Sequence, residues 1–141
     1  MTTGTEYKLP LPQPNVDDKA FWEGCKRHEL LLQKCSQCGK VRYYPEPFCP
    51  KCLSDKKESV KASGKGTVWS WTTTTHAFGP RFKDVVPYTV VVVKLAEGLR
   101  MTSNLIDCKP EDIRVDMPVE VVFDDVTPEV TLPKFRPAKK A

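Results

Sequence analysis

The hydrophobic rhythm of the chain changes twice. Residues 1–14 are polar and interrupted by Pro10, Pro12 and Pro14. This composition predicts an extended arm with neither helix nor core signal, either laid along a partner or, in a monomer, disordered. Val16, Ala20, Phe21 and Cys25 then recur at helical spacing, which predicts a helix over about 16–28 with Asn15 or Asp17 as its cap. Trp22 stands beside that face, either as core or as an anchor for a partner. Leu30-Leu31-Leu32 leads a first short strand into Cys35. Val41 to Tyr44 reads as the return strand, Pro45 and Pro47 close a connection, and Lys57 to Ala62 reads as a third strand.

Beyond Gly64 and Gly66 the period becomes two. Thr67 to Thr75 is a long strand with Trp69, Trp71 and Thr73 expected on one face and Val68, Ser70 and Thr72 on the other. Pro80 and Pro87 bracket a loop, and Tyr88 to Leu95 forms the next strand. Its Val90-Val91-Val92-Val93 run implies burial on both faces or a bend in a closed barrel. Glu97-Gly98 is a hairpin turn, Leu99 to Ile106 returns, and Pro110 to Ile113 suggests a single helical turn. Val119, Val121 and Phe123 alternate with Glu120, Val122 and Asp124 in a fourth strand, and Val130 with Leu132 belongs to a fifth. Five strands, the first long and glycine-led, predict a small barrel of the OB type, and the count alone suits an SH3-like barrel nearly as well.

Cysteine spacing adds a metal. Cys35-Ser36-Gln37-Cys38 and Cys49-Pro50-Lys51-Cys52 are two Cys-x-x-Cys knuckles with ten residues between them. One such motif could be a redox site. Two at this separation bring Cys35, Cys38, Cys49 and Cys52 to the corners of one tetrahedron, as structural zinc requires, with about 2.3 Å to each sulfur and no open position. Gly39 serves the tight turn after the first pair, and Pro50 lacks an N–H inside the second. The fold class is therefore mostly β. The expected parts are an arm and helix over 1–29, a zinc ribbon over 30–63, a barrel over 64–133 and a basic tail over 134–141.

A length of 141 residues suits one domain or two very small ones. There is no run of eighteen apolar residues and no signal-peptide pattern, and two cysteines beyond the quartet, Cys25 and Cys108, suit a reducing cytoplasm. The net charge of +4 is matched by Lys134, Arg136, Lys139 and Lys140, which leaves the body neutral. Within it, residues 26–65 hold ten basic and four acidic side chains. A four-thiolate zinc contributes −2, so about +4 remains around the ribbon. Such a surface suits nucleic acid, a phosphate-bearing cofactor or an acidic partner face. Cys25 and His28, three apart, read as a buried thiol and a surface histidine rather than a shared ligand pair. No Ser-His-Asp or activated Cys-His signature is visible, and His76 and Cys108 are far apart in sequence.

The order of parts carries a resemblance. Phe21-Trp22-Glu23-Gly24 precedes a leucine-rich strand into Cys35-x-x-Cys38-Gly39, and Tyr44-Pro45 precedes Cys49-Pro50-x-Cys52. Gly64-x-Gly66-Thr67-Val68, Pro87-Tyr88, Leu95-x-x-Gly98 and Leu132-Pro133-x-Phe135 follow. Over roughly residues 16–135 this resembles the DUF35 family, a rubredoxin-like zinc ribbon followed by an OB-fold domain. Asp116-Met117 departs from the pattern, which has glycine there; Asp tolerates the left-handed turn.

The resemblance implies a small partner of thiolase-superfamily enzymes. It helps to hold the enzyme or its CoA thioester, in cleavage, condensation or aldol chemistry, while the larger subunit supplies the catalytic residues. Phe78, Arg81, Phe82 and Lys83 are then the candidate CoA contacts. They offer two aromatics and two cations around Gly79, and arginine's planar fork suits phosphate. The bland alternative is a solvated loop whose rings cover the barrel mouth. Phe21, Trp22, Tyr43, Tyr44, Phe48, Phe78 and Phe82 are expected to anchor an obligate interface. Two other classes stay open: a single-stranded nucleic-acid module using a basic groove with stacking aromatics, and a purely structural subunit.

Overall fold

The computed structural model describes residues 7–139. The helix is shorter than its periodicity suggests. Asn15 Oδ1 accepts the N–H groups of Asp17 (2.8 Å) and Asp18 (3.3 Å), while Asp18 Oδ1 accepts the Asn15 N–H at 2.7 Å. This reciprocal pairing coils residues 15–18 into a turn, so α1 runs only from Lys19 to Lys26. Val16 is thrown outward, 89% exposed, and Ala20 is also exposed; the buried face is Phe21, Gly24 and Cys25. Gly24 is required by proximity, because a Cβ there would lie 2.8 Å from the Leu31 side chain.

Three antiparallel strands form the ribbon in the order β2-β1-β3: β1 (Leu31–Cys35), β2 (Val41–Arg42) and β3 (Lys57–Lys61). The return strand stops at Arg42 rather than Tyr44, and Tyr43 and Tyr44 turn their rings onto the helix. Phe21 lies 5.0 Å from Trp22, 5.5 Å from Tyr43 and 5.7 Å from Tyr44, centroid to centroid. Trp22 Nε1 donates to the Tyr44 hydroxyl at 2.9 Å, and that hydroxyl donates to the Asp18 carboxylate. Phe21, Trp22, Tyr43 and Tyr44 thus join α1 to the ribbon within the chain. Such ring pairs stabilise by about 0.5–1.5 kcal/mol each beyond area burial. Phe48 and Phe78 remain exposed.

The barrel is closed in the order β4-β5-β6-β8-β7, with β4 (Lys65–Thr74), β5 (Tyr88–Leu95), β6 (Arg100–Leu105), β7 (Pro118–Asp125) and β8 (Thr131–Pro137). Every pairing is antiparallel except β6–β8, a parallel seam with the single pair Leu105↔Phe135. Val68, Val91, Val93, Leu95, Met101, Leu105, Ile113, Val119 and Phe135 fill the interior. Phe21, Cys25, Leu30, Leu32 and Ala62 continue the same core, so the base of the ribbon is fused to the barrel.

Three expectations are corrected here, and one pair of alternatives is decided. In β4, Val68 opposes Val93 and Ser70 opposes Val92, leaving Trp69 as an extra residue. This bulge reverses the alternation. Val68 is buried and Trp71 packs on the core, while Trp69 stands 49% exposed against Arg100 (5.1 Å) and Lys94 (5.9 Å). Of the two readings of the valine run, the closed barrel holds rather than burial on both faces: Val91 and Val93 point in, and Val90 and Val92 are half-buried outside. The last strand extends to Pro137, so Lys134 and Arg136 belong to the barrel wall rather than a tail. Their partners are Asp124 (2.7 Å) and Glu120 (3.0 Å), and Asp124 is only 1% exposed. Finally, the arm from Tyr7 onward lies on the barrel, with Tyr7 and Leu9 half-buried; residues 1–6 and Lys140 fall outside the described residues. Asp116 adopts φ 65°, the left-handed turn expected of it.

Candidate functional site

The two knuckles are built alike. Cys35 N–H donates to Lys40 O and Cys49 N–H to Ser54 O, both at 2.8 Å. Gly39 N–H returns to Cys35 O at 3.0 Å and Leu53 N–H to Cys49 O at 2.8 Å. The position after each pair is left-handed: Gly39 at φ 77° and Leu53 at φ 64°. A residue with a side chain thus occupies in the second knuckle what glycine occupies in the first.

These turns converge the sulfurs of Cys35, Cys38, Cys49 and Cys52 to within 4.8 Å of one another. Cys35–Cys52 is 3.5 Å and Cys38–Cys49 is 3.6 Å. A tetrahedron with metal–sulfur bonds of about 2.3 Å has edges of roughly 3.8 Å. A zinc ion fits. The electrostatics agree with that fit. The Cys38 N–H directed at its sulfur lowers the Cys35 thiol to about 6, and the Cys52 N–H lowers Cys49. At Cys52 the Ser54 N–H lowers the thiol, but burial and the neighbouring sulfurs outweigh it and raise it to about 11. Four adjacent thiols cannot all ionise without a cation among them, and a divalent ion supplies that charge. Among the described residues this is the single group of three or more potential ligands.

The other two thiols are held toward the neutral form. Burial raises Cys25 to about 12; burial, then Asp112 and Glu111, raise Cys108. His28 is no ligand partner for Cys25. Its Nε2 lies 3.0 Å from Asp125 Oδ1, and its ring stacks on Phe123 at 5.3 Å, which ties the end of α1 to β7. His76 and Cys108 share no hydrogen bond among the described residues.

The loop candidates divide between two surfaces. Pro80 to Phe82 form one 3-10 turn, held by the Phe82 N–H to Gly79 O at 3.0 Å. Phe78, 93% exposed, stands in solvent with Arg81 and Lys83, while Phe82 turns inward against Tyr88 at 6.3 Å. Phe82 lines a cavity of about 280 Å³ with Val85, Tyr88, Leu105, Ile106 and Lys134, closed on one side by Tyr7 and Leu9. The sequence pattern does not reveal this cavity, because its walls come from the arm, the loop and three strands.

Two domain families match in tandem: "ChsH2, rubredoxin-like zinc ribbon domain" over residues 22–58 and "ChsH2, C-terminal OB-fold domain" over 59–124. A DUF35 domain-containing scaffold protein of Methanothermobacter thermautotrophicus is 40% identical over 105 residues, covering 74% of this chain and 78% of its own. The chain is a DUF35 protein. Its barrel is accordingly of the OB type. A solved structure described as "Ltp2-ChsH2(DUF35) aldolase" superposes on this DUF35 protein with a TM-score of 0.83 and 38% identity, covering 91% of this chain and 99% of that one. The "Probable enoyl-CoA hydratase alpha subunit" of Thermomonospora curvata is 40% identical over 138 residues. That match takes in 96% of this chain but only 43% of the relative, so the chain spans less than half of that protein's length. No helix among the described residues is long and apolar enough to cross a membrane.

Proposed function

We propose that this DUF35 protein is a non-catalytic subunit of a thiolase-type acyl-CoA-processing complex. In that role it stabilises the catalytic subunit and helps to bind the CoA thioester. The observation that carries the reading is the likeness, along 99% of its chain, to a DUF35 domain described as part of an aldolase. The chemistry of the residues supports it. A closed four-thiolate site leaves no position for substrate. Cys25 and Cys108 are held as neutral thiols, and the His28–Asp125 pair serves to join α1 to the barrel. The candidate contacts to CoA are Arg81 and Lys83 for the phosphates, with Phe78 and Phe82 beside them.

The test is kinetic, on the complex reconstituted with the large subunit that co-purifies. Arg81→Ala should raise the Michaelis constant for the thioester by about 1.5–3 kcal/mol equivalent, with a smaller change in turnover, because uniform binding is what is lost. Unchanged kinetics would leave the loop as structure only. Acyl-CoA turnover by the isolated chain would defeat the non-catalytic role.

One observation favours a second reading, a single-stranded nucleic-acid module. Trp69 is exposed beside Lys94 and Arg100 on the outer face of the barrel. Successive bases need successive stacking rings, however, and the neighbouring outward positions of β5 are Val90 and Val92. Tight oligonucleotide binding with a steep salt dependence would reverse the preference.

A further inference from the structure

One edge of the ribbon is left open. Its sheet runs β2-β1-β3, and β2 is only Val41–Arg42, so β3 (Lys57–Lys61) is the edge long enough to pair with another strand. Flanking hydrogen bonds fix which of its groups point outward. Ser36 N–H donates to Lys56 O at 3.1 Å and Ala62 N–H to Leu30 O at 2.8 Å, with Lys34 opposite Glu58 and Leu32 opposite Val60 between them. Lys56, Glu58, Val60 and Ala62 therefore turn their backbone groups toward β1. By alternation, the N–H and C=O groups of Lys57, Ser59 and Lys61 point away from it. Among the described residues no strand or loop pairs with them.

The chain itself shows what this edge accepts. Ser63 N–H, the next donor in the alternation, meets the Glu97 carboxylate of the β5–β6 turn at 2.9 Å. That contact ends the open stretch on one side. Within the stretch, Lys57 is held by Asp17 at 3.5 Å and Glu58 by Lys34 at 4.0 Å. Lys56 and Lys61 are exposed and have no ion pair among the described residues. The edge is therefore net cationic, within a segment that holds ten basic and four acidic side chains over residues 26–65.

Lysines on an edge ordinarily keep copies of a chain from pairing. They do so here. Two β3 strands paired antiparallel about Ser59 would set Lys57 against Lys61 of the second copy at each end. The same two positions favour an incoming strand that carries carboxylates opposite them.

We infer that β3 takes an extended acidic segment of the partner subunit as a fourth, antiparallel strand of the ribbon. The inference rests on the subunit role proposed above and adds the place and manner in which the partner's chain is held. Backbone groups of Lys57, Ser59 and Lys61 supply the pairing, and the lysine side chains supply the choice of sequence.

The test is residue-resolved amide exchange on the full chain with its zinc, free and in the complex reconstituted with the large subunit that co-purifies. In the complex the Lys57, Ser59 and Lys61 amides should slow about tenfold or more, whereas those of Glu58, Val60 and Ala62, already bonded to β1, should change little. Ser59→Pro removes an outward N–H that β1 does not use, and should weaken the complex about tenfold at unchanged zinc content. Lys61→Glu, at an exposed side chain, should weaken it in the same direction. A capped synthetic peptide, Thr-Glu-Val-Thr-Thr-Glu-Thr, sets its glutamates opposite Lys61 and Lys57 and should reproduce the alternating protection on the free chain. A complex that forms without that alternation would overturn the edge and leave the subunit role standing. Equal protection by the same peptide with lysines in place of glutamates would overturn the acidic partner. Alternating protection that grows with the concentration of the free chain would make a second copy the occupant instead. Protection by the glutamate peptide with no complex formed would remove the partner subunit as its source, and neither complex nor protection would overturn role and edge together.

Discussion

The two ends of the ribbon are stabilised by different physics. Its base, Leu30, Leu32 and Ala62, is buried with Phe21 and Cys25 in the same core that fills the barrel. Its tip, from Cys35 to Ser54, has a two-residue return strand, and Phe48 and Leu53 stand exposed on it. Apart from Tyr43 and Tyr44, which pack on Phe21, burial offers so small a loop system little order, and the four sulfurs supply it. The barrel needs no such help, since its strands close on themselves around Val68, Val91, Val93, Met101 and Phe135. Metal and hydrophobic core are thus separable supports in one short chain, and each can be removed while the other is watched.

The largest effect should come from the metal. Structural zinc contributes on the order of 10–16 kcal/mol in zinc-finger peptides, comparable with a domain's whole stability. Metal analysis should find one zinc per chain, and Cys49→Ala should abolish it. Amides of residues 35–54 should then lose hydrogen-exchange protection, while those of β4 to β8 keep theirs. Zinc retained in full, or loss of protection throughout the barrel, would break the distinction drawn between the two regions.

A smaller effect is expected in the barrel wall. Lys134→Ala removes the ammonium from a carboxylate that is almost wholly buried, which should cost about 3 kcal/mol in chemical denaturation with zinc content unchanged. A loss below about 0.5 kcal/mol would show that the pair behaves like a surface ion pair.

The junction between helix and ribbon supplies a pH dependence. Burial raises the Asp18 carboxyl, but hydrogen bonds from the Tyr44 hydroxyl and the Asn15 N–H outweigh it and hold the group below its usual range. A folded pKa lowered in this way stabilises above the unfolded value, near pH 4, and that contribution disappears as pH falls through the folded value. Thermal stability of the wild type should therefore drop below about pH 4 more steeply than that of Asp18→Asn. Parallel acid limbs would show that the carboxylate is not differentially stabilised.

The smallest effect, and the one with opposite sign, concerns the second knuckle. Leu53 occupies a left-handed position that glycine holds in the first. Leu53→Gly should relieve strain of about 1–2 kcal/mol and lose part of that gain through the freer unfolded chain. A net rise in stability of about 0.5–1 kcal/mol at unchanged zinc affinity is expected. A fall would mean that the exposed leucine packs on the ribbon after all.

What the sequence determined by itself is whatever depends on spacing along the chain. Cys35, Cys38, Cys49 and Cys52 announce the metal centre because ligand geometry fixes their intervals, and the period-two segments announce the strands because side chains alternate. Asp116 could be read as a left-handed turn from its chemistry alone. The tertiary structure decided what depends on one inserted residue or on distant partners. The bulge at Trp69 parts two tryptophans that alternation places on one face, leaving Trp71 on the core and Trp69 outside, and no local pattern marks it. Lys134 and Arg136 look like a basic tail until β8 pairs with β7, which sets Arg136 opposite Glu120 and brings the Lys134 ammonium within reach of Asp124. Asp18, Trp22 and Tyr44 meet across more than twenty residues, and the cavity joins Tyr7 to Lys134. Periodicity reports the face of an element toward its neighbours in sequence; it carries no information on which remote element will cover that face, and here that choice makes the cavity.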